Sequence, residues 1–175
     1  MNNLVQLALD MGFSHAVTLD IKTLKADPKV RAMCAADKCG AYGRNWTCPP
    51  ACGTLEQCAE RMSAYTSGIL VQTTGELEDS FDVEGMQELE KRHQQNIRKT
   101  ADALRRTPSD MLCLGSGGCR ICEKCAWPEP CRFPEKACLS MEAYGLLVSW
   151  VCQENDLPYY YGKDTLTYTA CFLFR

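Results

Sequence analysis

Thirteen cysteines stand in a chain of 175 residues, and eleven of them fall in or beside two short segments. The second segment, GSGGCRICEKCAWPEPCRFPEKAC, supplies Cys119, Cys122, Cys125, Cys131 and Cys138, with Cys113 just before it. The first, CAADKCGAYGRNWTCPPACGTLEQC, supplies Cys34, Cys39, Cys48, Cys52 and Cys58. Crowded thiols of this kind serve as disulfides, as structural zinc ligands or as iron–sulfur ligands. The odd count sits poorly with a closed disulfide framework. The N-terminus, MNNLVQLALDMGF, lacks a basic n-region and a small-residue cleavage site. It predicts a cytoplasmic chain, in which thiols stay reduced.

Spacing separates the two metals. Cys119, Cys122 and Cys125 follow one another at three-residue steps, and Cys131 follows the rigid corner AWPEP. Such a run wraps three thiolates around one cubane and resembles the ferredoxin pattern C-x2-C-x2-C-x3-C-P, with a longer last gap. In two-cluster ferredoxins the fourth cysteine serves the other cluster, so Cys131 either completes its own site or crosses over. Structural zinc prefers two ligand pairs divided by a longer spacer. The spacing therefore favours a 4Fe–4S cluster on Cys119, Cys122, Cys125 and Cys131. The first segment, Cys34-x4-Cys39-x8-Cys48, offers three ligands, with Cys52 the nearest fourth. It predicts a possible second cluster, against zinc or a redox-sensing thiol group. Cys58 falls on a helical apolar stripe and reads as a small buried hydrophobe, as Cys152 and Cys171 read as packing residues.

Around these segments the pattern predicts one α/β or α+β domain over residues 1–175, a mixed sheet flanked by helices with cysteine-rich loops at about 30–58 and 113–138. Leu4, Leu7, Ala8 and Met11 mark a first helix stopped by Gly12. HAVTLDI alternates as a strand, and the stretch from Val30 to Gly53, rich in Gly, Pro and Asn, predicts loop. Thr54 and Gln57 form a capping box at the start of another helix. GILVQTTG and MLCLG read as strands, with a long amphipathic helix from Asp82 to Arg106 between them. Ser140 is expected to cap a helix carrying Tyr144, Val148, Val151 and Cys152, and PYYYG with TLTYTACFLF to form a hairpin.

Other functions find little footing. A formal charge of -3 gives no footprint for nucleic acid or an anionic membrane. His15 and His93 are the only histidines, and neither neighbours a nucleophile motif. The carboxylates of ELEDSFDVEGMQELE read as a solvated face. Gly115, Gly117 and Gly118 lack the helix and third glycine of a dinucleotide loop, and suit backbone N–H groups aimed at sulfur. Arg120, Lys124, Arg132 and Lys136 interleave with the ligands, and Trp46 and Trp127 either shield the sites or anchor the loops.

Together YGRNWTCPP, GGCRICEKCAWPEPCRFPEKACLSMEAYG and PYYYGKDTLTYTACFLF resemble a family of predicted metal-binding proteins found mostly in anaerobes. The resemblance runs from about Val30 to the C-terminus. It implies metal on cysteine, iron–sulfur above all, with the positions of Cys34, Cys39, Cys48, Cys119, Cys122, Cys125 and Cys131 as ligands. It implies no particular substrate. The expected role is electron transfer to a redox partner protein or enzyme, or a reductase subunit. The alternatives are a small iron–sulfur enzyme with an open iron and a zinc-stapled interaction module.

Overall fold

The structure is a computed structural model that describes residues 1–105 and 110–175. Five strands form one open mixed sheet in an α+β fold. They are β1 (His15–Leu19), β2 (Ser67–Glu76), β3 (Met111–Gly115), β4 (Leu139–Ser140) and β5 (Thr165–Phe174), in the spatial order β1-β2-β5-β3-β4. All neighbours are antiparallel except β3 and β4, which run parallel with Leu114 opposite Leu139. The last strand of the chain is thus the centre of the sheet, and its alternation sorts two cores. Ala170, Phe172 and Phe174 face one side with Ile69 and Val71, beneath α1 (Asn2–Asp10) and α4 (Val83–Leu104). Cys171 and Leu173 face the other with Leu70 and Leu114, beneath α3 (Leu55–Ser63) and α5 (Val148–Glu154). Strands covered on both faces read as continuous apolar runs, as GILV and ACFLF do.

Local signals explain most boundaries. Thr54 and Gln57 make the reciprocal capping box that opens α3. Asp82 accepts from the Gly85 N–H to open α4. That helix ends at Leu104, and Arg106, the expected last residue, lies outside the described residues. No helix among the described residues is long and apolar enough to cross a membrane.

Three expectations change. The first cysteine loop starts later than Val30, because α2 (Pro28–Ala35) occupies its beginning. Asp27 caps it by accepting from Lys29 N–H at 2.7 Å, with Pro28 at the first helical position. The helix expected after Ser140 is split. Ser140 accepts from Ala143 N–H at 3.2 Å and caps only a 3-10 turn over Glu142–Tyr144. Gly145, at φ 76, ends that turn before α5 begins at Val148. The expected hairpin has one arm, since β5 pairs with β2 and β3 and PYYYG forms no strand.

Gly145 also locks α2 in place, because its carbonyl accepts from Asp27 N–H at 2.8 Å. A Cβ there would stand 2.7 Å from Leu55 Cδ1 and 3.0 Å from the Asp27 nitrogen. Gly145→Ala is expected to lower unfolding free energy by roughly 1–3 kcal/mol, measured by denaturant titration.

His93 is buried on α4, its Nδ1 2.9 Å from Thr73 Oγ1. Burial drives its pKa from 6.5 down to about 3, against a smaller upward pull from a Thr169 backbone hydrogen bond. The unfolded chain therefore binds a proton near pH 6 that the folded chain refuses. Stability is expected to fall as pH drops below about 6.5, by up to about 1.4 kcal/mol per pH unit from this group. The slope should be shallower in His93→Gln; equal slopes would contradict the assignment.

Candidate metal centre

Where β3 ends, the chain turns through Gly115–Gly118 into the second cysteine segment, and the first segment folds against it. Asn45 Nδ2 donates to the Cys119 carbonyl at 3.0 Å, and Cys119 N–H donates to Thr47 Oγ1 at 2.8 Å. Asn45 Oδ1 in turn accepts from both Thr47 N–H and its hydroxyl at 3.0 Å. Trp46 Nε1 donates to the Glu129 carbonyl at 2.8 Å, and its ring meets Trp127 edge-to-face at 4.6 Å. Both tryptophans are half-buried and tie the segments together.

Two cavities flank this seam. Cys119, Cys122, Cys125 and Cys131 all line the first, together with Asn45, Thr47 and Phe133. Burial raises the Cys119 thiol; N–H groups of Ile121 and Cys138 pull it back, and the neighbouring Cys131 and Cys122 raise it further. Aimed N–H groups favour thiolate over thiol, as a metal ligand needs. The basic residues make other contacts: Arg120 pairs with Glu90 of α4 at 2.5 Å, and Arg132 donates to the Lys124 carbonyl at 3.2 Å.

The second cavity is lined by Cys34, Cys39 and Cys48, with Gly117, Gly118, Ser140, Tyr42 and Glu142. Burial raises Cys48 to about 11, opposed by a hydrogen bond with Thr47 and reinforced by Cys39, Cys34 and Glu142. Cys34 is raised by burial and then by Glu142, while Arg31 lowers it. Glu142 is oriented by Ser140, whose hydroxyl donates to Oε2 at 2.7 Å, and by Gly117 N–H at 3.3 Å. Gly118 packs close against the second cavity's Cys48, since a Cβ there would lie 3.2 Å from Cys48 Sγ.

Cys52 does not line this cavity. It is buried in the core with Cys58, whose Sγ donates to the Cys52 carbonyl at 3.7 Å. Their side-chain hydrogen bond, then Arg31, lowers the Cys58 thiol, and the same bond raises Cys52. Arg31 also donates to the carbonyls of Ala143 and Gly53, so it staples α2 to α3 and the 142–144 turn. Cys138 stands behind the first cavity against Cys113, with sulfurs 2.7 Å apart. Cys152 and Cys171 are fully buried in the core, and His15 stacks on Tyr161 at 4.5 Å. Glu142 is the residue that sequence reasoning missed. Its only sequence signal is the polar S-x-E pair just after the last clustered cysteine.

Among the described residues, no group of three or more His, Cys, Asp or Glu side chains is placed to hold a metal ion as it stands. The donor chemistry nevertheless fits a thiophilic metal. Four thiols share the first cavity, and three thiols and one carboxylate share the second. A family model described as "Predicted metal-binding protein (DUF2284)" matches residues 17–174. No curated protein and no solved structure matches the chain.

Cys48→Ser is expected to reduce bound metal per chain, whereas Cys52→Ser should leave it unchanged, both read by elemental analysis of the purified variants. The reverse order would overturn the division between cavity and core.

Proposed function

The chain belongs to the DUF2284 family of predicted metal-binding proteins, and from that premise we propose that it is an iron–sulfur protein serving electron transfer to a partner enzyme. The observation that carries this reading is that Cys119, Cys122, Cys125 and Cys131 all line one cavity. Three of these thiols follow one another at three-residue steps, which suits a polynuclear cluster better than the two separated ligand pairs of structural zinc. A 4Fe–4S centre on these four thiolates supplies a one-electron couple. The residues around it do the rest. N–H groups of Ile121 and Cys138 stabilise charge on Cys119, and the Trp46–Trp127 pair holds the two loops closed.

A second reading rests on the other cavity. Cys34, Cys39 and Cys48 face it with Glu142, while Cys52 is turned into the core. A metal bound there would take Cys34, Cys39 and Cys48 as ligands, with Glu142 the candidate for a fourth. An exchangeable fourth position is what a small iron–sulfur enzyme uses for Lewis-acid chemistry. This supports a second cluster with a function distinct from the first.

The full chain, purified without oxygen, is expected to be brown and to contain iron and acid-labile sulfide. Cys122→Ser should weaken metal binding by at least roughly tenfold and bleach the visible absorption, while Cys152→Ala leaves both unchanged. A colourless wild type loaded with zinc would replace this reading with a zinc-stapled interaction module.

A further inference from the structure

The pair Cys113 and Cys138 is absorbed by neither cavity. Because Leu114 of β3 pairs with Leu139 of β4 in parallel register, the residues one step earlier, Cys113 and Cys138, also stand opposite one another. Neighbouring strands lie about 4.7–4.9 Å apart, within the Cα separation of about 4.4–6.8 Å that a disulfide spans. Their sulfurs already touch at 2.7 Å, and both side chains are buried. A surface pocket is lined by Cys113 but not by Cys138. Among the described residues, its charged lining is Arg98, Arg105 and Lys136 against the single carboxylate of Asp102. Asp102 pairs with Arg105 at 3.2 Å, which leaves Arg98 and Lys136 without a carboxylate in the pocket among the described residues.

We propose that Cys113 and Cys138 form a reversible dithiol–disulfide couple that exchanges with a small anionic thiol or disulfide bound in this basic pocket. In the reductive direction an external thiolate attacks Cys113 Sγ. The Cys113–Cys138 bond breaks, and its electron pair leaves on Cys138, which takes up a proton. A second external thiolate then attacks the external sulfur of the mixed disulfide. Cys113 is released and protonated, and the two external thiols depart as their disulfide. Two electrons and two protons have entered the protein. The attack falls on Cys113 because that sulfur alone borders the pocket. The disulfide would close the base of the loop that holds Cys119, Cys122, Cys125 and Cys131, and the Cys138 backbone N–H already lowers the Cys119 thiol pKa. The state of the couple is therefore felt at the first cavity, although the couple itself does not depend on which metal binds there.

The test equilibrates the full chain, metal-loaded and metal-free, in anaerobic buffers of graded reduced and oxidised glutathione. Acid quenching, alkylation and peptide mass spectrometry then read each cysteine. A Cys113–Cys138 cross-link should grow with the oxidised fraction and reverse with the reduced one in both forms. Cys138→Ala should accumulate a mixed disulfide on Cys113, and Cys113→Ala should collect at least about tenfold less on Cys138, as an unactivated buried thiol does. Arg98→Glu with Lys136→Glu should slow reaction with oxidised glutathione by about tenfold and leave reaction with neutral 2-hydroxyethyl disulfide little changed. Separate free thiols at positions 113 and 138 in every wild-type buffer would overturn the couple, as would cross-links only to other cysteines. Equal slowing with both disulfides would overturn the anionic pocket. Iron measured on the same samples reports separately on the metal reading, since a cross-link in iron-free protein sustains the one and not the other.

Discussion

A short hydrogen-bonded seam between Cys119 and the pair Asn45 and Thr47, more than seventy positions away, makes one site region from the two cysteine segments. Both the N–H and the C=O of Cys119 are engaged there, so the loop leaving β3 has one orientation against the first segment. Asn45 holds Thr47 while it holds Cys119, so the three groups are fixed together. The glycines matter at this seam because Gly118 has no side chain to fill the gap between backbone and Cys48 sulfur. Remove the seam and the four-thiol cavity loses one wall, while the three-thiol cavity loses its glycine boundary.

The sheet serves that arrangement. β5 at its centre is covered on both faces, which buries Phe172 and Leu173 on opposite sides and gives a rigid platform. The parallel pair β3 and β4 delivers both ends of the second cysteine segment to one edge of the platform. Donors elsewhere keep the supporting elements in place: half-buried Arg31 bridges α2 to its neighbours, and buried Asn96 donates to the Gly12 carbonyl at 2.8 Å. The metal thiols themselves sit in loops, as functional groups commonly do on a rigid frame.

Much of this was legible in the chain. The capping box at Thr54, the apolar stripe of α4 and the alternation of β5 each specify their element by local chemistry. The packing role of Cys152 and Cys171 followed from their apolar neighbours, and both are fully buried. What escaped were non-local choices. β5 joins two distant strands instead of the adjacent PYYYG, a pairing that no local pattern encodes. Glu142 reaches the second cavity only because Gly145 breaks the turn that carries it. The Asp27–Pro28 start of α2 was readable, but the Gly- and Pro-rich sequence after it argued for loop.

X-ray absorption at the iron and zinc edges, on protein purified without oxygen, tests most directly whether the four thiols surround a polynuclear iron centre. An iron edge with sulfur neighbours and an iron–iron scattering path is the result expected from these residues. A zinc edge with four sulfurs and no metal–metal path would contradict it.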